Sequence, residues 1–346
     1  MRILSFASVV FAAWATASAA VAEESCPPLT MITSVDMQIG ADGRIYVPAK
    51  INDVAKSMLV DTGGFFTEIT EAMSRELKLT ARHTGLQLVG VEGDTTKLAV
   101  RAGFTLGKLH SDSMDFMVMP GDHAFAPDVT DAAGLLAPNL LRTYDLDLDF
   151  GGRKLNLISQ KHCEGKVVYW PASAVAVVPM RVNPDGHIFV PVELDGHRIT
   201  AMLDTGAPSS VVNLGTAQNT FGLEPGSADT PAEGSLVDGK IAAYSHRFKS
   251  LALEGIAVSN PKLTLLPDLM RGKLANPHDN LEGDTRIASQ DVETGLGDMI
   301  LGMDILRHLH VYIAYKEQKL YLTPANAPVV AGTAPASAAA SAAAAK

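Results

Sequence analysis

The sequence predicts a mainly β protein built from two copies of one domain. Three observations carry this reading. Met37-Gln-Ile-Gly-Ala-Asp-Gly-Arg-Ile-Tyr-Val-Pro48 recurs 143 residues later as Met180-Arg-Val-Asn-Pro-Asp-Gly-His-Ile-Phe-Val-Pro191, and the same offset lays Asp61-Thr62-Gly63 on Asp204-Thr205-Gly206 without a gap. A third match comes at offset 165, with Leu135-Leu-Ala-Pro-Asn-Leu-Leu-Arg142 facing Ile300-Leu-Gly-Met-Asp-Ile-Leu-Arg307. Short period-two runs of Val, Ile, Tyr and Phe lie between Gly, Asp and Asn punctuation, which is the pattern of many short strands.

Composition sets the outer bounds. The 346 residues are 47% hydrophobic and 19% charged, and 38 acidic against 28 basic side chains give a net charge of −10. That length allows about two domains at roughly 100–200 residues each and excludes a disordered chain. No cluster of Lys and Arg forms the footprint of a nucleic-acid binder.

Taken in order, residues 1–22 place one basic residue, Arg2, before an apolar run and end in Ala20-Val21-Ala22, the form of a cleaved export signal. Thr16 and Ser18 cut the run short of the ~20 residues of a membrane span, so the mature chain is expected to be exported, periplasmic or secreted, with no span. Residues 23–36 form an N-terminal arm. Repeat 1 covers 37–158, a linker 159–179, and repeat 2 180–324. The change of offset locates an insertion in the second copy at about 268–293, a polar Gly/Asn/Asp-rich surface loop. Residues 325–346 read as a disordered Ala/Pro/Ser tail. Helices are expected only at Thr70–Leu79 and Pro138–Arg142. Cys26 and Cys163 are the two cysteines; export permits a disulfide tying the arm to the linker, with two free thiols as the alternative.

The chemistry sits in the paired Asp-Thr-Gly. Each aspartate follows an apolar strand (Met58-Leu-Val60; Ala201-Met-Leu203) and so enters a turn where burial is costly for an isolated charge. Thr62 and Thr205 can lend hydroxyl and N–H groups, and Gly63 and Gly206 let backbone approach closely. If the copies pack about a pseudo-twofold axis, Asp61 and Asp204 converge and share one proton, since two adjacent carboxylates do not both ionise. The ionised member would then take a proton from water while the other polarises a scissile carbonyl. No metal or organic cofactor is required.

With the downstream Ile300-Leu-Gly302 and Leu135-Leu-Ala137 segments, this pair resembles the retropepsin-like aspartic proteases, in particular exported bacterial members with two fused copies. The resemblance implies a closed β-barrel domain per repeat, a cleft between them that takes a peptide or protein substrate, and a hairpin flap over it. By position the flap residues would be Val89, Gly90 and Val91 in one copy and Leu236 and Val237 in the other. A monomer is expected, with a dimer pairing equivalent repeats as the alternative. Repeat 1 departs from the family pattern at Gly64-Phe65-Phe66 and at Ala137, where glycine is usual; the alanine is either tolerated or displaces Asp61. A peptide-binding or structural module of the cell envelope that has lost catalysis is therefore the second reading.

Other residues read more plainly. Asp145, Asp147 and Asp149 alternate with leucines and are expected on the solvent face of a strand. His308 and His310 are expected on one strand face as ordinary histidines, and Ser209-Ser210 lacks the elbow of a nucleophile.

Overall fold

The strands of each copy fall at the same offsets as the sequence matches. The structure, a computed structural model, describes residues 26–89, 95–119, 125–236, 241–267 and 297–325. The export signal, residues 23–25 of the arm, Gly90, Val91, Val237, the insertion at 268–293 and residues 326–346 of the tail lie outside the described residues.

In the first copy, Ile45–Ile51 and Val54–Val60 form a hairpin whose turn, Asn52-Asp53, takes positive φ at both residues, as the tight turn between right-twisted strands requires. Val54–Val60 then runs parallel to Ala132–Leu136, which pairs antiparallel with Glu68–Thr70. Glu68–Thr70 runs parallel to Leu109–Met119, and Leu109–Met119 pairs with Thr95–Leu106. Thr95–Leu106 returns to Ile45–Ile51 through Lys50 opposite Thr105, closing a six-stranded barrel. Ile45, Val47, Ile51, Met58, Val60, Ile69, Val100, Phe104 and Phe116 fill its interior.

The second copy repeats the path through Ile188–Leu194, His197–Leu203, Met299–Leu301, Val211–Asn213, Lys262–Leu266 and Ile241–Arg247. Here the long returning strand is split at Phe248-Lys249, and its continuation Ser250–Leu253 makes the closing contact with Glu193 and Leu194. The connection from Leu266 to Met299 is longer than its counterpart from Met119 to Gly134, so most of the extra length of this copy falls there.

Both short helices foreseen from sequence are present. Thr70 caps Glu71–Glu76 by accepting from the Met73 N–H, and Pro138 starts Pro138–Leu141. Two others were not foreseen. Met303–Leu306 matches Pro138–Leu141 in the other copy. Leu214–Phe221 contains Gly215, Thr216, Asn219 and Thr220, all poor helix formers, and is held by its Asn213 cap and its left-handed Gly222 terminus.

A six-stranded antiparallel sheet joins the copies, in the order Met31–Asp36, Lys154–Ile158, Asp145–Asp149, Leu309–Ala314, Lys319–Pro324, Ala176–Pro179. Its centre is the contact of Asp145–Asp149 with Leu309–Ala314, one strand from each copy. One face, with Leu146, Leu148, Leu155, Val311, Ile313 and Leu320, joins the main core.

The opposite face corrects the expectation for the aspartates. The linker crosses it and covers it with Val167, Val168, Trp170 and Val175, so Asp145 and Asp147 are buried and only Asp149 is partly exposed. The sequence alternation was right, but nothing in it showed that a separate segment caps the polar side. Asp147 accepts from the Tyr169 hydroxyl, from Asn156 Nδ2 at 2.9 Å and from His310 Nε2 at 2.5 Å, and His310 stacks on Trp170 with ring centroids 3.9 Å apart. Asp145 accepts from His162 Nε2 at 2.7 Å and the Tyr315 N–H at 3.0 Å. The two histidines do not share a strand face: His308 lies in the turn before the strand and is exposed, while His310 is buried.

The linker is tied down by a disulfide between Cys26 and Cys163, with Cα atoms 5.2 Å apart. The bond closes a chain segment of 137 residues, and cross-links of that kind typically contribute about 2–4 kcal/mol by restricting the unfolded chain. Cys163→Ser should therefore unfold at lower denaturant by about that free energy in an equilibrium titration, and added reductant should lower the wild type to the same midpoint while leaving the variant unmoved.

Candidate active site

The parallel pairing of Val54–Val60 with Ala132–Leu136 places Asp61 at the common end of two core strands, where its N–H donates to the Leu136 carbonyl at 2.9 Å. Asp204 leaves His197–Leu203 in the same way, its N–H donating to the Leu301 carbonyl at 3.0 Å. Each turn then reaches into the other copy. The Thr62 hydroxyl donates to the Leu203 carbonyl at 2.9 Å and accepts from the Thr205 N–H at 3.1 Å. The Thr205 hydroxyl donates to the Val60 carbonyl at 2.7 Å and accepts from the Thr62 N–H at 3.1 Å. Both threonines are fully buried. Sequence reasoning assigned these hydroxyls to the aspartates; they bind the two copies to each other instead, because each threonine side chain points across the axis.

The glycines of the motifs face the opposite carboxyls. A Cβ on Gly63 would overlap the Asp204 carboxyl, and one on Gly206 would overlap that of Asp61. The two carboxyls face each other closely enough to interact, and both residues are part-buried. Burial, then the facing Asp204, raises Asp61 well above the ordinary carboxylate range. Burial also raises Asp204, but the Gly206 N–H at 2.8 Å, the hydrogen bond from Asp61 and the Ala207 N–H at 3.1 Å oppose it. Asp61 accepts only the Gly63 N–H, at 2.9 Å. The two acids are thus held unequally, with Asp61 raised further than Asp204.

Behind each turn lies a matched brace. Thr67 accepts the Ala137 N–H and is held by Asn139, and Ser210 accepts the Gly302 N–H and is held by Asp304. Ser210 is thus a buried structural group. The departures of repeat 1 compensate one another. In copy 2, a Cβ on Gly302 would stand 2.6 Å from the Ser209 carbonyl and 2.9 Å from that of Ala207, so glycine is needed there. In copy 1 the larger residue is Ala137 and the glycine has moved across the contact to Gly64, whose Cβ would lie 3.3 Å from that of Ala137. A side chain at position 64 would crowd both the Asp61 carboxyl, at 3.1 Å, and Ala137.

A profile of the aspartyl protease family matches residues 47–139 and 190–305, one segment in each copy. The chain belongs to the aspartyl protease family. No curated protein sequence matches it. Among solved structures it is similar to basic 7S globulin from soybean, with 11% identity and a TM-score of 0.45 over 87% of this chain and 95% of that one.

In this chain both flap candidates fall at hairpin ends. Leu88 and Val89 pair with Thr96 and Thr95, and Leu236 pairs with Ile241. The tips between them lie outside the described residues.

Two site residues escaped the sequence reading. His187 of copy 2 donates from Nε2 to the Gly63 carbonyl of copy 1 at 2.9 Å, with Asp185 at 3.2 Å from its other nitrogen and Phe65 edge-on to its ring. Burial lowers His187, but Asp185 and the Gly63 carbonyl outweigh it and raise its pKa overall. Its only sequence signal was the replacement of Arg44 by histidine within an otherwise matched block. Glu68, buried at 7% exposure, stands near enough to Asp61 to raise it further. Its signal was an acid at the position of Val211, within a strand.

Two predictions follow from this geometry. Gly64→Ala crowds Ala137 and should cost activity, whereas Gly64→Ala/Ala137→Gly recreates the arrangement of copy 2 and should recover most of it. Stability of the four proteins in a double-mutant cycle should show a coupling above about 0.5 kcal/mol, and additivity would refute the compensation. Burial raises Glu68 to about 8 from 4.5. Between these values the folded state holds a proton that the unfolded state has released, so stability falls as pH rises, by about 1.4 kcal/mol per pH unit for one proton. Chemical unfolding from pH 5 to 8 should show this slope reduced by about one proton in Glu68→Gln.

Proposed function

We propose that this chain is an exported aspartic endopeptidase in which Asp61 and Asp204 activate water for direct attack on a peptide bond. The observation that carries the reading is the facing carboxyl pair held by the Thr62–Thr205 exchange, with both acids raised and Asp61 raised further. Asp204, supplied with two backbone N–H groups, is the ionised member and takes the proton of the attacking water. Asp61, protonated, donates to the carbonyl oxygen of the scissile bond as charge develops there. The proton gained by Asp204 then passes to the leaving amine as the C–N bond breaks, a hydroxyl of the diol returns its proton to Asp61 as the carbonyl re-forms, and no covalent intermediate with the enzyme forms. Export is supported by the form of residues 1–22 and by the Cys26–Cys163 bond, which persists in oxidising compartments.

The reading of a module that has lost catalysis rests on Gly64, Phe65 and Ala137. The fit of Gly64 against Ala137 and the intact Thr62–Thr205 exchange favour the peptidase over it. Purified Asp61→Asn and Asp204→Asn proteins should each cleave a peptide library at least about 1,000-fold more slowly than wild type, a loss of roughly 4 kcal/mol of transition-state stabilisation. Because the chemistry needs one proton on the pair, wild-type kcat/KM should fall on the alkaline side as Asp61 loses its proton. Wild-type-like rates in either variant would refute the assignment.

A further inference from the structure

The substrate cleft is chemically unlike on its two sides. Ile69 points into the first barrel, so Glu68 projects from the opposite face of the same strand. Leu59 and Asp61 lie on that outer face as well, because Met58 and Val60 point inward. Leu135 pairs with both Leu59 and Glu68, which puts Glu68 one strand beyond Leu135 from the line of Asp61. On its other side it pairs with Met117, where Phe66 and Ala99 pack. Glu68 lies between Leu135 and Met117, is 7% exposed, makes no hydrogen bond or ion pair among the described residues, keeps a narrow contact with solvent, and lies within electrostatic reach of Asp61.

A buried carboxyl without a partner is costly, and such groups are normally satisfied. Neither the catalytic chemistry proposed above nor the brace behind the turns uses this one. The corresponding position of the second copy is Val211, which pairs with Ile300 as Glu68 pairs with Leu135. There a shallow hollow of about 20 Å³, lined by Val211, Asn213, Leu266, Pro267, Met299 and Ile300, carries no carboxyl. The pseudo-twofold axis puts these two positions on opposite sides of the aspartate pair.

We propose that Glu68 is a specificity-determining residue that receives a lysine or arginine side chain of the substrate on one side of the scissile bond, while the Val211 side receives an apolar one. A cationic side chain entering beside Glu68 supplies the missing partner; the carboxyl ionises and forms a charge-assisted hydrogen bond in a site from which water is excluded. An acidic substrate side chain is rejected by the same group and by the adjacent Asp61. The inference rests on the peptidase reading for its cleavage consequences, but not for its binding consequences.

The test uses a library of octapeptides in which each position in turn is lysine, arginine, norleucine or glutamate. Wild-type protein should prefer a basic residue at one fixed position on one side of the cleaved bond by at least tenfold over norleucine. Glu68→Gln should abolish the preference, and Glu68→Val should shift it to norleucine. A flat wild-type profile, or a basic preference retained in both variants, overturns the proposal; so does a Glu68→Gln protein whose pH profile moves while its sequence preference stays. If wild type cleaves nothing, or Asp204→Asn cleaves as well as wild type, the peptidase reading fails, and calorimetry decides the matter of Glu68. Asp204→Asn protein should bind lysine peptides at least tenfold more tightly than norleucine ones, and Asp204→Asn/Glu68→Gln should bind both alike. Equal binding of the two peptides by Asp204→Asn protein overturns the inference.

Discussion

The exchange of hydrogen bonds between Thr62 and Thr205 is the constraint on which the site depends. Each hydroxyl satisfies a carbonyl and an N–H of the other copy, so four backbone groups that would be stranded at strand ends in the core are paired. With the threonines fixed, Gly63 and Gly206 must lie under the opposite carboxyls, and the carboxyls must meet. The unfavourable convergence of two acids is held by a neutral network, and the acids respond by keeping a proton. The six-stranded sheet gives the same pairing a second, distant support, since its central contact joins one strand from each copy.

Much of this was legible in the amino acids. The repeat at offsets 143 and 165 was visible because strands, turns and short helices of the two copies share geometry, and geometry keeps residues such as Asp-Gly at turns and Ile-Tyr-Val in strands. The capped helix after Thr70 and the paired aspartates could be read for the same reason: local rules decide them. What could not be read depends on which segment covers which face. Asp145 and Asp147 occupy alternating positions that a two-sided sheet would show to water, and only the passage of the linker with Tyr169 and Trp170 buries them. His187 acquires its role by touching a turn 124 residues away. Glu68 looked like an acid preceding a helix; its register against Leu135 and Met117 puts it at the site.

The exchange of Gly64 and Ala137 shows why motif departures mislead when judged one at a time. Judged alone, Ala137 threatens the turn and Gly64 loosens it. In contact they are one small residue beside a larger one, since a Cβ on Gly64 would lie 3.3 Å from that of Ala137. The packing rule concerns the summed volume at the contact, which a close-packed interior holds nearly constant, rather than the identity at either position.

Fusion of the two copies explains where they have diverged. In a symmetric homodimer, a residue on one side of the axis appears on the other as well, so a change that helps one half is imposed on both. A second carboxyl at the Val211 position would add another buried acid beside an already crowded pair. A single chain is free of that restriction. The groups that cross the axis, Thr62 with Thr205 and Gly63 with Gly206, remain alike because each must fit the other. Positions that need not match a copy of themselves have separated: Glu68 from Val211, Gly64 from Ala207, and Arg44 from His187, the last of which crosses to the Gly63 carbonyl. The backbone donors follow suit, one to Asp61 and two to Asp204, so the two acids are inequivalent before any substrate arrives. In a duplicated site the groups that fit their own counterparts across the axis cannot change singly, whereas the others, His187 included, are free to differ between the copies.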